Sequence, residues 1–505
     1  MKRFWLGCFL LAATMSAPAQ DAKELEKRVT EFTLANGLRM VVMERHQSPV
    51  ISFHTYVAAG SVNDPTGQTG LVNLLGHLAF KGTESVGSHN WAEEKKALDA
   101  VDEAYDRMEA ERSKGPRMKQ EQYDLLRSQW KLAVDAAQRL SNSGEYAKIL
   151  EDNGANGVRS GSNWTALQVG YTLPSNRLEL WFTMESQRLM HPVVRDFDKE
   201  RAALIEEQSK NQNNPQLRVI DTLLAAAFTT HPYRVPMAGW PGDLAELKRT
   251  EGRAFLEKYY VPGNIVVSMV GDVDPAEVKR LAEKYFGPMP ARPMPPVLRT
   301  VEPPQAGPRT VELDINAQLM AAIGYKRPGY TDKDDTALDV LHAIIGNGST
   351  GMAWRELVQE KKIAAAMQIR PSYPDGLYPN LFLFFVAPAR GQSIEQMQKA
   401  IDEFLGRLRS QKVGVDALSD AKAQFQAQAY EQLNSNATVA EMLAVHTAVF
   451  SDWKTLYTQI EEVAKITEDD VLRVAQRYLI PANRTTVFTA IPGLPVSTSR
   501  TGGLQ

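Results

Sequence analysis

Two stretches far apart in the chain carry the same local pattern. Residues 258–264 (KYYVPGN) precede the apolar run IVVSMVGDV, and residues 477–483 (RYLIPAN) precede TTVFTAI. In each case an amphipathic helix ends at an aromatic residue, a proline stops it, and an apolar strand follows. One such match could arise by chance. Two in the same context predict a duplicated α+β domain.

A proline-rich stretch separates the two copies. Residues 288–308 read PMPARPMPPVLRTVEPPQAGP, a composition that favours an extended, semi-rigid linker. The chain of 505 residues is long enough for two large domains or three average ones. We therefore expect a first half over residues 29–287 and a second over residues 309–495, each with helices and a sheet.

The first half contains a segment of different character. From about residue 92 to residue 150 the chain is dense in Glu, Lys, Ala, Leu and Gln, and Lys114-Gly115-Pro116 interrupts it. This pattern predicts two long helices that form a helical-hairpin insertion. A charge-rich hairpin of this kind is usually a solvated insertion, with partner binding as the alternative.

The first nineteen residues have the pattern of a secretory signal peptide. A basic start, a short apolar run and the small residues Ala17-Pro18-Ala19 predict cleavage near Ala19. Cys8, the only cysteine, would leave with this peptide, so the mature chain would have neither disulfides nor a catalytic thiol. No later stretch is apolar for long enough to span a membrane. We expect a periplasmic or secreted protein.

The segment Gly70–Thr83 (GLVNLLGHLAFKGT) has the spacing of a metal-binding helix without most of its chemistry. An intact site would read His-x-x-Glu-His on one turn of helix. Here the two ligand positions hold Asn73 and His77, and the position of the general base holds Gly76. Residues four apart share a helical face, so one ligand candidate remains there.

Together these features resemble the pitrilysin/insulinase family of inverted-motif zinc metallopeptidases. The resemblance covers nearly the whole mature chain. It rests on the hairpin LANGLRMVV, the segment GLVNLLGHLAFKGT, the glutamates of ERAALIEE, the run LEKYYVPGNIVVSMVGDVDP and the proline linker. It implies two metallopeptidase-type halves and a zinc cofactor. A net charge of -3, with Lys and Arg spread along the chain, gives no indication of a nucleic-acid partner.

The resemblance also assigns roles to individual residues. It implies that Glu207 is the third metal ligand and that Glu200 is a carboxylate behind the ligands, although the adjacent Glu206 could take either role. A solvated or salt-bridged helix face remains an equally good account of these glutamates. His77 is better explained as a hydrogen-bonded helix histidine left after the loss of its partner ligands.

Two further family positions have changed. The edge strand that pairs with substrate backbone falls on Arg159, Ser160, Gly161 and Ser162, where the family pattern is Asn-Ala-x-Thr. An Arg and a Tyr seven residues apart hold the substrate carbonyl in family members. The corresponding positions here are Val358 and Ala365.

The chemistry of the remaining residues argues against turnover. A catalytic zinc ion needs three protein ligands and an open position for water, and an asparagine amide is a much weaker ligand than imidazole. Gly76 has no side chain that could take a proton from water. We therefore expect zinc to be weakly bound or absent.

Three functions remain open on this basis. The preferred one is a catalytically inactive subunit that helps an active homologue to form a peptide-degrading chamber. The alternatives are an active zinc endopeptidase with an altered metal site, and a non-catalytic protein that binds peptides or supports assembly.

Overall fold

The computed structural model describes residues 26–346 and 348–490. The predicted signal peptide, including Cys8, and the last residues of the predicted second half, 491–495, lie outside this part of the chain. Its strands form two sheets. Their bounds are β1 Val29–Thr33, β2 Arg39–Glu44, β3 Val50–Val57, β4 Asn156–Ser162, β5 Leu167–Pro174, β6 Ile265–Gly271, β7 Arg309–Asp314, β8 Ala321–Arg327, β9 Ala364–Tyr373, β10 Asn380–Pro388 and β11 Arg484–Ala490.

Five strands have the same arrangement in the two sheets, and the first sheet has β1 as an additional outer strand. The first has the order β1-β2-β6-β3-β5-β4, and the second has the order β7-β11-β8-β10-β9. In each, one parallel pair (β2 with β6, β7 with β11) is followed by three antiparallel pairs. The strands that follow the two repeated signatures, β6 and β11, occupy equivalent places. The predicted duplicated α+β fold is confirmed, whereas the domain limits remain predictions.

The helices pack around and between the sheets. Their bounds are α1 Leu71–Leu78, α2 Trp91–Arg112, α3 Gln120–Gln138, α4 Glu145–Asp152, α5 Leu178–Met190, α6 Phe197–Asn211, α7 Pro215–Ala227, α8 Pro241–Glu246, α9 Arg249–Tyr259, α10 Pro275–Tyr285, α11 Asp335–Gly346, α12 Ile394–Ser410, α13 Val415–Gln432, α14 Asn436–Phe450, α15 Thr455–Lys465 and α16 Glu468–Tyr478. A short helix, Met352–Trp354, runs into a π-helical turn over Arg355–Glu360. Within the described residues, no helix is both long and apolar enough to cross a membrane.

The predicted helical hairpin is α2 packed against α3. A turn at Gly115–Arg117 joins the two helices, at the break that the sequence indicates. Leu98, Val101 and Ala137 form its apolar interior together with Val193 from the body of the first half. Because the hairpin shares this small core with the first half, it is attached to that half near residue 98.

One helix from each half packs against the sheet of the other half. Helix α7 of the first half places Leu223 and Leu224 against strands β8, β10 and β11 of the second sheet. Helix α14 of the second half places Val439 and Leu443 against β2 and β6 of the first. A fully buried Leu or Val contributes roughly 1.5–3 kcal/mol, so these two exchanged helices hold the halves together.

The linker is fixed to the first half by one carboxylate. Glu302 accepts hydrogen bonds from the backbone N–H groups of Thr229 (2.9 Å), Thr230 (2.9 Å) and His231 (3.0 Å), just after α7 ends. Burial raises the pKa of Glu302, but these backbone donors and the ammonium group of Lys326 outweigh it and lower the pKa to about 2. The proline-rich stretch is therefore anchored part-way along its length.

Candidate functional site

Helix α1 begins at a close contact between two backbone segments. Gly70, the residue immediately before the helix, has a φ of +90°. A Cβ added there would lie 2.6 Å from the carbonyl oxygen of Ala238. Both observations require glycine. Asp64 caps the helix by accepting hydrogen bonds from the N–H groups of Gly70 (2.8 Å) and Val72 (2.9 Å). The first glycine of the motif thus positions the helix and has no chemical role.

Asp64 should make stability depend on pH. The pKa of Asp64 is raised to about 7. Burial is the main cause, and together with the nearby Asp243 carboxylate it outweighs the two backbone hydrogen bonds, which lower the pKa. A carboxyl group whose pKa is raised on folding contributes stability below pH 4 that is lost as the pH rises through 7. We expect Asp64→Asn to weaken the fall in the free energy of unfolding between pH 4.5 and pH 7.5. Urea denaturation at both pH values measures this, and an unchanged slope would contradict it.

The three positions of the degenerate motif differ in their surroundings. His77 is exposed, Asn73 is partly buried and Gly76 is buried. Neither His77 nor Asn73 makes a side-chain hydrogen bond or ion pair to another residue in the described part of the chain. The expected hydrogen bond of His77 is therefore absent among the described residues, because the imidazole faces solvent, and no partner orients it for metal binding.

Gly76 lies directly against the edge strand of the first sheet. A Cβ added to Gly76 would be 3.0 Å from the carbonyl carbon of Gly161 and 3.0 Å from the backbone nitrogen of Ser162. Contacts to Cβ are rarely this short, and the atoms on the other side are backbone atoms, which cannot turn away. The position that the resemblance assigns to the general base therefore has no side chain, and a side chain there would need the backbone of β4 to move by a few tenths of an ångström.

The two glutamates proposed to lie near the metal have other surroundings. Glu200 forms an ion pair with Lys81 of the motif segment, with Oε1 2.7 Å from Nζ. Glu207 is exposed, and Glu206 is paired with Lys210 at 2.8 Å on the surface of α6. The account of these residues as a salt-bridged helix face fits Glu200 and Glu206 directly.

These residues do not fit a catalytic zinc ion. In residues 26–346 and 348–490, no group of three or more His, Cys, Asp or Glu side chains is arranged to hold a metal. The donors on α1 are one imidazole and one amide, and Lys81 places a positive charge beside Glu200. A site with one strong ligand and a neighbouring cation offers little affinity for a dication.

A buried arginine that the sequence analysis missed organises the loop after α1. Arg195 donates hydrogen bonds to the carbonyl oxygens of Thr83 (2.7 Å) and Val86 (3.1 Å), and its Nε pairs with Glu94 at 2.6 Å. Arg195 and Glu94 are each about 1% exposed. The Lys-Gly-Thr end of the motif is therefore held in place, because backbone carbonyl groups there and just after it accept hydrogen bonds from one guanidinium. Nothing in the local sequence pairs residues 83 and 195.

Strand β4 is an outer strand, so no other strand of the described residues pairs with one side of its backbone. Arg159, Ser160 and Gly161 lie on it as the resemblance implies, and they pair on the inner side with Gly170, Val169 and Gln168. Arg159 also pairs with Glu441 of α14 at 2.6 Å, which ties the strand to the second half.

The two positions at which family members carry an Arg and a Tyr, here Val358 and Ala365, lie on different elements of the second half. Val358 is partly buried in the π-helical turn, and Ala365 is exposed near the start of β9. Neither side chain has a donor, so neither can bind a substrate carbonyl through its side chain. Strand β9 is the outer strand of the second sheet, the place that β4 holds in the first.

Comparison with known proteins decides the family. The family described as "Insulinase (Peptidase family M16)" matches residues 39–110, and the one described as "Peptidase M16 inactive domain" matches residues 246–425. A relative named zinc protease PqqE, from Helicobacter pylori, is 25% identical over 95% of this chain and 96% of its own length. The chain belongs to the insulinase family, M16. The match to the inactive domain lies outside the Gly70–Thr83 segment.

Solved structures of M16 proteins share the fold. A protease from Helicobacter pylori superimposes with a TM-score of 0.76 at 23% identity, covering 92% of this chain and 99% of that one. An M16 inactive domain from Pseudomonas fluorescens gives 0.73 at 15% identity, covering 91% and 97%. The periplasmic protease PqqL from Escherichia coli gives 0.66 at 14% identity and covers 92% of this chain but 48% of that one. The two-half M16 architecture is therefore shared by all three.

Proposed function

We propose that this M16 protein acts outside the cytoplasm as a catalytically inactive subunit that helps an active homologue to form a peptide-degrading chamber. The observation that carries this proposal is the contact of Gly76 with Gly161 and Ser162. The backbone of β4 lies 3.0 Å from where a Cβ would be at the position assigned to the general base, and His77 is the single imidazole on the helix. Restoring one residue would not rebuild such a site.

The scaffold around the lost site supports a role with peptides. One edge of strand β4 is not paired with another strand of the described residues, and an extended peptide can add to such an edge through main-chain hydrogen bonds alone. Val158 on this strand is 41% exposed, which adds apolar contact area. Substrate peptides would be bound here and cleaved by the zinc site of the partner subunit.

Co-purification from the producing organism tests this function. We expect the tagged mature chain, isolated without chelators, to bring down a homologue with an intact His-x-x-Glu-His helix. The pair should cleave unstructured peptides, and the tagged chain alone should not. A strictly monomeric protein without such a partner would rule out the proposal.

The open edge of β4 also favours the second candidate, a peptide-binding protein outside any proteolytic complex. It predicts peptide binding by the isolated chain without cleavage. The third candidate, an active endopeptidase with an altered metal site, requires cleavage that a chelator abolishes. Binding and cleavage assays on the isolated chain therefore separate these alternatives.

A further inference from the structure

A cavity of about 260 Å³ lies among the helices of the first half, and none of its walls belongs to α1 or β4. One wall is the first turns of α2, in the helical insertion. The others are the end of α5 with the segment after it, one face of α9, and the beginning of the proline-rich linker. The cavity thus joins the two segments, insertion and linker, to which the proposed function assigns no role.

The floor of the cavity is apolar. It is formed by buried side chains from all four walls: Leu98, Leu189, Val193, Leu256 and Met289. An apolar cavity of about 150 Å³ is known to bind benzene in another protein. At about 260 Å³ for floor and rim together, the site has room for a small hydrocarbon group beside this floor.

The rim of the cavity is charged, and most of its charges are paired. Lys95 pairs with Asp99 at 3.3 Å, His191 lies 3.7 Å from Glu84, and Arg249 binds Asp102 at 2.9 Å. The guanidinium of Arg292 donates to the carbonyl oxygen of Glu257 at 3.1 Å.

Arg253 differs from these rim residues. It is exposed, lies on the cavity face of α9, and makes no hydrogen bond or ion pair to the other described residues. Glu257, one turn further along α9, is the carboxylate at the rim that would oppose an anion. The cavity therefore combines an apolar floor with a guanidinium at its mouth that has no ion-pair partner among the described residues.

We infer that this cavity binds a small molecule or chain end made of an apolar group that carries a carboxylate. The apolar group occupies the floor, and the carboxylate accepts hydrogen bonds from Arg253. A guanidinium favours binding a carboxylate in this way, through two parallel hydrogen bonds. A fatty acid and the C-terminal residue of an apolar peptide share this chemistry. The inference does not depend on the proposed function.

Calorimetric titration of the mature protein with octanoate tests the inference. We expect saturable binding that Arg253→Gln weakens at least about tenfold, because a charge-assisted hydrogen bond is lost. Glu257→Gln should strengthen binding by roughly threefold, since it removes a like charge. Arg127→Gln, an exposed change on α3 outside the cavity, should have no effect.

Two further measurements locate the ligand and identify its source. Met190→Trp fills the cavity from a half-buried position and should abolish binding while circular dichroism shows an intact fold. A peptide with a C-terminal leucine carboxylate should compete with octanoate if the source is a chain end, and its amide should not. The inference is overturned if octanoate does not bind, if octan-1-ol binds equally well, or if Arg253→Gln or Met190→Trp leaves octanoate binding unchanged.

Discussion

Replacing Arg195 with methionine should destabilise the protein by about 3–5 kcal/mol, the usual cost of removing one partner of a buried ion pair. The Glu94 carboxylate would remain about 1% exposed without its cation. The carbonyl groups of Thr83 and Val86 would also lose their donor. Chemical denaturation followed by circular dichroism measures the change in the free energy of unfolding.

A matched change on the surface provides the control. Lys148 pairs with Asp152 at 3.1 Å, and their side chains are 71% and 57% exposed. Lys148→Met should change stability by about 0.5 kcal/mol or less. Adding Glu94→Leu to Arg195→Met should recover part of the loss, because no charge is then left buried. A loss below about 1 kcal/mol for Arg195→Met would show that Arg195 does not organise the loop after α1.

Restoring the general-base residue by Gly76→Glu should destabilise the protein by about 3 kcal/mol and should restore no peptidase activity. Overpacking a filled site costs roughly 1–3 kcal/mol, and here the opposing atoms are backbone. Adding Asn73→His would complete the motif in sequence, but the Cβ of the glutamate would still lie 3.0 Å from the backbone of β4. Thermal denaturation and a fluorogenic peptide assay measure the two effects.

Gly242 provides the matched glycine. It lies in the first turn of α8, it is exposed, and no atom lies within 4 Å of an added Cβ. Gly242→Glu should leave stability unchanged or raise it slightly, because glutamate is a better helix former and is favoured near a helix N-terminus. If Gly76→Glu were as well tolerated as Gly242→Glu, the general-base position would not be closed.

The sequence predicted the elements whose cause is local. The hairpin LANGLRMVV is present and joins β1 to β2, and the helical insertion follows from composition with a break at residues 114–116. The two equivalent sheets follow from the repeated signatures before β6 and β11. Each of these depends on residues close together in the chain.

The features that were missed depend on residues far apart. The contact of Gly76 with Gly161 joins positions on a helix and an edge strand separated by the whole insertion. The pairing of Arg195 with Glu94, and of Lys81 with Glu200, likewise needs the fold before it can be recognised. The sequence therefore indicated that the base is missing, and only the structure showed how closely β4 approaches its position.

Zinc content is the measurement that tests the central claim most directly. The protein, purified without chelators and without a metal-binding tag, should contain far less than one zinc ion per molecule by mass spectrometry. His77→Ala should not lower that value, because His77 has no partner ligands in the described structure. One zinc ion per chain that is lost in His77→Ala, together with chelator-sensitive peptide cleavage, would contradict the account.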